Sequence, residues 1–219
     1  MHANFERPEY PDIAREPLLE LVPENTHAVL DIGCNKGGFG HSLKSARGVE
    51  IVWGVEPDKE AAFSAEGRLD CVINDFYHEG NPIPDGFFDV ITFNDSLEHM
   101  VDPASALLLS KKKLNTGGRI HCCVPNIRHI ANIEHLLFEQ DWRYEDCGIR
   151  DRTHLRFFTE KSIVRLFSEC GYRVLRVFGI NEDWWHQDKR LRRVMFKLFP
   201  KLTLDMRHIQ IVVIAEPVR

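Results

Sequence analysis

Short apolar runs alternate with helical patterns along the first 125 residues. Five of these runs are predicted to be strands: Ala28–Ile32, Ile51–Val55, Leu69–Ile73, Phe88–Phe93 and Arg119–Val124. The spacing of apolar residues between them predicts three helices, over Phe39–Ala46, Lys59–Phe63 and Pro103–Leu114. Strands that alternate with helices in this order are typical of a parallel sheet with crossover helices on both faces.

The pattern changes after Pro125. Ile127–Phe138 has helical spacing, a charged segment covers Glu139–His154, and another helix is predicted from Thr159, a suitable N-cap. Two final strands are predicted at Arg173–Phe178 and Ile209–Ala215. They are expected to pair as a long antiparallel hairpin at the edge of the sheet.

The chain, residues 1–219, is predicted to be one domain with three additions. These are an N-terminal cap over residues 1–25, a substrate-cap insertion over 126–160 and an edge insertion over 181–205. The edge insertion contains a helix whose apolar positions fall on one face and are flanked by basic residues: Leu191, Val194, Met195 and Leu198, beside Lys189, Arg190, Arg192, Arg193 and Lys197. Two interpretations remain open, namely a helix docked by its apolar face or a basic amphipathic surface that contacts anionic lipid or a partner.

Composition narrows the class of protein. The chain has 28 basic and 33 acidic residues, so its formal charge of -5 gives no reason to expect nucleic-acid binding. No apolar run reaches the roughly 18 residues of a membrane-spanning helix, and the first residues lack the apolar core of a signal peptide. A cytoplasmic location is expected. None of the six cysteines forms a C-x-x-C pair, so a zinc ribbon is not indicated and reduced, structural cysteines are expected. No fixed spacing of Asp, Glu and His supports another metal site.

The first strand runs directly into a glycine turn, within Val29–Phe39. Gly33 and Gly37 allow the backbone to turn tightly and approach a ligand closely. Glu56 ends the second strand, where a carboxylate can accept hydrogen bonds from both hydroxyls of a ribose. Dinucleotide-binding proteins need a second glycine where this loop has Asn35, which disfavours a nicotinamide-dependent oxidoreductase.

Further segments extend this pattern in the same order along the chain: Gly54-Val-Glu56-Pro57, Asn74-Asp75-Phe76, Phe88–His99 and Leu114–Arg119. On these residues the chain resembles a class I S-adenosylmethionine-dependent methyltransferase. The resemblance implies a Rossmann-like α/β fold with a mostly parallel seven-stranded sheet, an antiparallel C-terminal strand and helices on both faces. It also implies S-adenosyl-L-methionine as the cofactor.

The resemblance implies a role for each matching residue. Asp31 and the loop would hold the methionine part of the cofactor, the loop residues being Gly33, Cys34, Asn35, Lys36 and Gly37. Glu56, followed by Pro57, would bind the ribose. The adenine would meet Asp75 and Phe76. Around the sulfonium would lie the residues that follow strand four, namely Asn94, Ser96 and His99. Tyr10 and Arg15 could cap the methionine carboxylate, or their segment is an ordinary amphipathic helix.

The chemistry needs few protein groups. A sulfonium is already activated for displacement, so the protein mainly positions the acceptor. A hydroxyl acceptor must also lose a proton, for which histidine is suited near neutral pH. His99 and His154 are the two candidates for the base. Asp151 could orient His154 or bind a hydroxyl, while the neighbouring arginines either grip an anion or brace the loop: Arg150, Arg152 and Arg156.

A narrower resemblance rests on Val124–His129, on Trp142-Arg-Tyr144 and on Asp151–Thr159. These segments are similar to those of bacterial methyltransferases of surface-polysaccharide and glycan biosynthesis. The resemblance implies a small-molecule, sugar or glycan-precursor hydroxyl as acceptor, with contact to a glycosyltransferase complex. Contact with the membrane periphery is suggested by the basic helix of the edge insertion. The aromatic residues could stack on a sugar or pack in the core: Trp142, Tyr144, Trp184 and Trp185.

Two other functions stay open at this point. One is N- or C-methylation of a small metabolite such as a quinone precursor. The other is a non-catalytic cofactor-binding module in a glycan assembly complex.

Overall fold

A computed structural model describes residue 12, residues 14–182 and residues 190–218, with the side chains of residues 190 and 191 left out. Predictions for Tyr10, Trp184, Trp185 and Lys189 fall outside the described residues. Seven strands form one sheet: β1 Ala28–Ile32, β2 Ile51–Val55, β3 Cys71–Ile73, β4 Phe88–Asn94, β5 Leu114–Pro125, β6 Tyr172–Glu182 and β7 His208–Pro217. Their spatial order is β3-β2-β1-β4-β5-β7-β6.

Strand β7 is antiparallel to both of its neighbours, β5 and β6. The four pairs from β3 across to β5 are all parallel, so the sheet has six parallel strands and one antiparallel strand. This arrangement confirms the predicted fold class. The last two strands do pair with each other as predicted, but β7 lies inside the sheet and β6 forms its edge.

The helices cover both faces of the sheet: α1 Glu16–Leu19, α2 Gly38–Arg47, α3 Lys59–Glu66, α4 Pro103–Lys113, α5 Ile130–Glu134, α6 Glu160–Glu169, α7 Arg190–Leu198 and α8 Pro200–Thr203. Side chains cap the N-termini of several of these helices. Asp58 accepts hydrogen bonds from two backbone N–H groups of α3, and Asp102 accepts one from α4. Thr159 and Ser162 form a reciprocal capping box at α6, which confirms the predicted cap.

Apolar residues pack in two main clusters around the sheet. Leu43 of α2 belongs to one cluster together with Val52 of β2. Leu107 of α4 and Phe167 of α6 belong to the other, with Ile91 of β4. Because β1 contributes residues to both clusters and is buried along its whole length, it runs through the centre of the molecule.

The predicted helix over 127–138 is only partly helical. Its first residues are held by backbone hydrogen bonds to other segments, since Asn126 N donates to Ile209 O and Ile127 N donates to Phe158 O. The α-helix therefore begins at Ile130, and a π turn over His135–Glu139 follows it. Asn126 also forms a β-bridge with Phe158, so the segment predicted as a substrate cap leaves and rejoins the body at one place.

Strand β1 has β2 on one side and β4 on the other. The chain order therefore changes direction between β1 and β4, and a crevice forms outside their carboxyl ends. Open parallel sheets bind ligands at this point. The glycine turn after Ile32 and the segment that follows Asn94 both lie there.

Candidate functional site

The turn after β1 has a left-handed backbone at three positions. Gly33, Asn35 and Gly37 have φ values of 77°, 49° and 78°. At Gly33 a Cβ atom would lie 2.7 Å from the Cβ of Ser96, so the loop packs directly on the segment after β4. The glycines therefore serve both the turn and the close packing that forms the crevice floor.

Glu56 is buried at the end of β2 and ties this loop to the next one. Its Oε2 accepts a hydrogen bond from Asn35 N at 2.8 Å, and its Oε1 accepts one from Asp58 N at 2.9 Å. Each carboxylate oxygen has a second lone-pair direction. The geometry thus suits the predicted contact with two ribose hydroxyls.

Asp31 lies opposite Thr92 in the register of β1 and β4. The Thr92 hydroxyl donates to Asp31 Oδ1 at 2.6 Å. Burial raises the pKa of this carboxyl from 3.8 to about 6. A buried carboxylate in this condition is stabilised by a nearby cation, and the ammonium of a methionine moiety would be one. The residues present therefore fit the cofactor that the resemblance implies.

Three other predicted cofactor residues, Cys34, Lys36 and Pro57, have contacts that are explained by packing and turn structure. A Cβ atom on Gly54 would lie 2.5 Å from the Cys34 sulfur, so this buried thiol fills the space beside β2, as predicted. All six cysteines are free. The backbone oxygen of Lys36 accepts from Arg68 at 3.1 Å, and Pro57 is partly exposed in the turn before α3.

Asp75 and Phe76 follow β3 on the open side of the crevice. Phe76 is 65% exposed, and the Asp75 carboxylate accepts from Phe76 N at 2.8 Å and lies 2.9 Å from His78 Nε2. An exposed ring next to a carboxylate is available to an adenine. Contact with adenine stays a prediction.

Two buried polar atoms at the end of β4 lack a hydrogen-bond partner within the described residues. They are Asn94 Nδ2 and Ser96 Oγ. Buried polar groups without partners are uncommon and often mark functional sites. Their position after β4 agrees with the predicted contact to the reactive part of the cofactor.

Arg15 forms an ion pair with Asp95. Its Nη1 donates to Asp95 Oδ2 at 2.5 Å, and Gln210 Nε2 donates to the same carboxylate at 2.7 Å. Burial lowers the pKa of Arg15 and the Asp95 carboxylate raises it, with a net rise. This ion pair attaches the N-terminal segment to the loop after β4, a contact that sequence analysis did not predict.

His99 and His154 lie together although they are far apart in sequence. Their ring centroids are 4.7 Å apart and the ring planes meet at 69°. Burial lowers the pKa of both imidazoles below 6.5, and the neighbouring His154 lowers that of His99 further. Both rings are thus favoured in the neutral form at neutral pH, which a general base requires.

Hydrogen-bond partners assign the tautomer of each ring. The Thr153 hydroxyl donates to Asp151 Oδ1 at 2.7 Å, so His99 Nδ1, 3.0 Å from that hydroxyl oxygen, must be the donor. His154 Nδ1 lies 3.2 Å from the Ile149 carbonyl and therefore also carries the proton. Each ring thus keeps a lone pair on Nε2. Asp151 reaches His99 through Thr153, and its backbone oxygen accepts from His154 N at 3.1 Å. The predicted role of Asp151 in orienting His154 stays a prediction.

Glu98 lies within the segment Phe88–His99, but the sequence predicted no role for it. It is 1% exposed, and neither carboxylate oxygen has a hydrogen-bond partner within the described part of the chain. Oε1 lies 3.8 Å from His154 Nε2. Burial raises the pKa of this carboxyl well above its ordinary value. Its backbone oxygen accepts from Leu155 N at 2.9 Å and from Arg156 N at 3.0 Å, which fixes the histidine loop to the end of β4.

The same residues contain atoms of metal-ligand type. One such atom from each of Glu98, His99 and His154 lies within 4.8 Å of the others. Among the described residues this is the one group with that spacing. No metal is predicted from the sequence, and the absence of a metal stays a prediction.

Aromatic rings continue outward from His154. The Phe157 ring lies 6.4 Å from His154 and 5.1 Å from Trp142, and Trp142 lies 6.5 Å from Tyr144. Tyr144 in turn borders an open depression with mostly charged walls: His135, Glu139, Asp141, Arg143, Glu145, Asp146 and Arg152. The rings thus connect the histidine pair to a polar surface.

The arginines of this loop mainly brace it. Arg150 pairs with Glu145 at 2.5 Å, and Arg152 pairs with Asp146. Arg156 donates to the backbone oxygen of Val101. Of the two roles that sequence analysis left open, the structure favours the bracing role.

Comparison with known proteins gives one family match and several similar sequences. The model of a family described as "Methyltransferase domain" matches residues 6–177. An uncharacterized methyltransferase from Schizosaccharomyces pombe is 29% identical over 125 residues, which are 52% of this chain and 44% of that protein. A ubiquinone biosynthesis O-methyltransferase from Aliivibrio fischeri is 24% identical over 180 residues, which are 74% of this chain and 73% of that protein.

Solved structures show the same fold. A SAM-dependent methyltransferase from Archaeoglobus fulgidus superposes with a TM-score of 0.65 at 20% identity, over 92% of this chain and 91% of that chain. A SAM-dependent, possible histamine N-methyltransferase from Thermotoga maritima superposes with a TM-score of 0.64 at 19% identity, over 92% and 86% of the two chains. These likenesses concern the fold, and the acceptor has to be argued from the site.

Proposed function

Because the chain belongs to the methyltransferase-domain family, we propose that it transfers a methyl group from S-adenosylmethionine to a hydroxyl of a sugar or glycan precursor. Membership in this family makes the chain a methyltransferase with S-adenosylmethionine as its cofactor. The acceptor is the part of the function that must be inferred from the residues around the histidine pair.

The observation that carries the proposal is the pair of neutral imidazoles with lone pairs on Nε2. The cofactor supplies an activated methyl group that is displaced in line. The acceptor hydroxyl must lose its proton as its oxygen attacks, and a neutral imidazole within reach can take that proton. His154, whose Nε2 lies 3.8 Å from Glu98 Oε1 and whose ring is followed by the aromatic residues, is the first candidate. His99, held through Thr153 by Asp151, is the second.

The surroundings of the pair support a polar acceptor. The aromatic rings beside His154 suit stacking on the apolar face of a sugar. Beyond them, Asp141, Glu145 and Asp146 line the depression and can accept hydrogen bonds from hydroxyl groups. An acceptor with a long apolar tail would gain little from such walls.

A second candidate acceptor is a phenolic quinone precursor. The Aliivibrio fischeri relative, by its name, methylates an oxygen in ubiquinone biosynthesis. At 24% identity this likeness does not carry the acceptor over, but it makes a phenol worth testing. N-methylation of a small amine is also open.

The test is an acceptor panel with methyl-labelled cofactor and purified protein. Its members are nucleotide sugars, free and lipid-linked oligosaccharides, a catechol and a small amine. Label transferred to a sugar hydroxyl, and lost in His154→Ala, supports the proposal. Label transferred only to the catechol or only to the amine would show that this compound class, and not a sugar, is the acceptor. Cofactor binding without transfer to any member would favour a non-catalytic module.

A further inference from the structure

The segment between β6 and β7 is firmly attached by one side. Arg192 Nε and Nη2 each donate to a carboxylate oxygen of Glu134 at 2.6 Å, and the two side chains are 4% and 14% exposed. Phe196 and Met206 pack with Ile130 in a small apolar cluster. The predicted apolar face, with Val194, Met195 and Leu198, is not the face that docks. The helix contacts the body through Arg192, Met195 and Phe196, and leaves Val194 and Leu198 exposed.

The turn after α8 is also fixed to the body. Arg128 binds both carboxylate oxygens of Asp205, at 2.5 and 3.2 Å, and donates to the Leu202 backbone oxygen at 2.9 Å. Asn126 Nδ2 donates to the Asp205 backbone oxygen at 2.6 Å. The segment is thus a stable platform, and its outward face keeps a defined position.

The outward face is unusually apolar. Five large apolar side chains within eleven residues are between 51% and 64% exposed: Val194, Leu198, Phe199, Leu202 and Leu204. Val194 and Leu198 are four residues apart and so lie on one side of α7. Single exposed apolar residues are ordinary, but a cluster of this kind marks a contact surface.

The same face is basic. Arg193, Lys197 and Lys201 are exposed between these apolar residues. Residues 190–207 contain six basic residues and one acidic residue, whereas the chain as a whole has a formal charge of -5. The positive charge is therefore concentrated where the apolar side chains are exposed.

We propose that this face, defined by Val194, Leu198, Phe199, Leu202, Leu204, Lys197 and Lys201, binds the surface of a membrane that contains anionic lipid. Leucine and phenylalanine side chains can enter the boundary between headgroups and acyl chains, while lysines reach the phosphates. Lysine is depleted in interfaces between proteins, which disfavours a protein partner as the occupant. Within the described residues no helix has the length and apolarity needed to cross a bilayer.

The test is flotation of the purified full chain with two kinds of vesicle. One kind is pure phosphatidylcholine and the other is an equal mixture with phosphatidylglycerol. We expect binding to the mixed vesicles, at least about tenfold weaker binding to the neutral ones, and a decrease with added salt. Failure to bind either kind would overturn the proposal.

Two double variants separate the contribution of the apolar side chains to vesicle binding from that of the lysines. Leu198→Ser with Leu202→Ser should abolish flotation, and Lys197→Glu with Lys201→Glu should weaken it about tenfold or more. The matched control is Lys59→Glu with Phe63→Ser on α3, where Phe63 is 75% exposed and the spacing is again four residues. This control should float like the unaltered protein. Equal loss in the control would show that the binding is nonspecific, which contradicts the proposal.

The alternative occupant of this face is a second copy of the chain. Sedimentation without lipid should give a mass independent of protein concentration. A dimer that dissociates in Leu198→Ser with Leu202→Ser would assign the face to a second copy instead. Flotation needs no methyl acceptor, so this proposal can fail without affecting the proposed function, and the reverse also holds.

Discussion

The imidazole rings of His99 and His154 meet edge to face, with their centroids 4.7 Å apart. Different elements bring them together, since His99 ends the turn after β4 and His154 belongs to the segment between the π turn and α6. The backbone oxygen of Glu98 holds the second segment against the first. The two candidate bases therefore come from separate segments of the chain. The sheet positions the first segment, and hydrogen bonds to the Glu98 backbone oxygen hold the second against it.

His154→Ala should lower turnover by roughly 10²- to 10⁴-fold, because that is the usual contribution of a positioned general base. Cofactor affinity should change little, because no contact between His154 and the cofactor is proposed. Turnover is measured with methyl-labelled cofactor and affinity by calorimetry. His41→Ala, at an exposed position of α2, is the control. Full turnover in His154→Ala would move the base to His99.

Glu56→Gln should weaken cofactor binding by roughly 10- to 100-fold, since hydrogen bonds to a charged group contribute about 1.5–3 kcal/mol. The amide keeps one acceptor oxygen but replaces the other with a donor, which then faces either a backbone N–H or a ribose hydroxyl. Calorimetric titration with S-adenosylmethionine measures the change. Glu60→Gln, on the exposed side of α3, should bind normally. Unchanged affinity in Glu56→Gln would remove the ribose assignment.

Asp31→Asn should stabilise the cofactor-free protein while weakening cofactor binding. Burial raises the pKa of this carboxyl from 3.8 to about 6, so the folded state loses stability as pH rises from 3.8 to about 6. Above that range the penalty is roughly 3 kcal/mol, and asparagine should recover about 1–3 kcal/mol of it. The Thr92 hydrogen bond can persist because the amide oxygen also accepts.

Urea unfolding at several pH values measures this effect. The stability of Asp31→Asn relative to the unaltered protein should increase as the pH rises from 4 to 6, because only the unaltered protein acquires the cost of the buried carboxylate. Glu66→Gln, an exposed carboxyl on α3, should leave the profile unchanged. Equal stability and equal cofactor affinity in Asp31→Asn would show that this residue neither carries the penalty nor contacts the methionine part.

Methyl transfer should not depend on a divalent metal. The methyl group is already activated because the sulfonium sulfur leaves as a neutral thioether without help from a metal. A neutral imidazole can accept the hydroxyl proton. The initial rate should therefore be the same after dialysis against EDTA and after later addition of magnesium or zinc. Because Glu98, His99 and His154 have the spacing of a ligand set, the experiment is decisive. A rate lost with EDTA and restored by one metal would assign that group to a metal ion.

The residues predicted to hold the cofactor lie close together in the structure because they are also close in sequence. The first strand, the glycine turn and Glu56 follow one another within 30 residues, and the register of parallel strands brings them together. The acceptor side depends on contacts between distant segments. Neither the burial of Glu98 nor the link from Asp151 through Thr153 to His99 has a local pattern. The Ile127–Phe138 helix failed at its start because tertiary hydrogen bonds take up its first backbone groups.

His121 should make the protein sensitive to mild acid. It lies on β5 beside Thr92 of β4 and is 5% exposed, and its Nδ1 has no hydrogen-bond partner within the described residues. Burial, helped by Arg119 and Arg176, lowers its pKa from 6.5 to about 4. Between those values the unfolded chain binds a proton that the folded chain does not, so stability falls as pH decreases from 6.5 to 4. The loss approaches about 3 kcal/mol at the lower end.

His121→Leu should remove this part of the acid sensitivity, since the side chain borders a small cavity lined partly by Leu18, Phe39 and Val212. Free energies of unfolding are measured in urea from pH 7 to pH 4. The unaltered protein should lose more stability over that range than His121→Leu, while both should be similar at pH 7. His208→Leu, at a partly exposed position of β7, should keep the original slope. Parallel curves for the unaltered protein and His121→Leu would mean that other groups control acid unfolding.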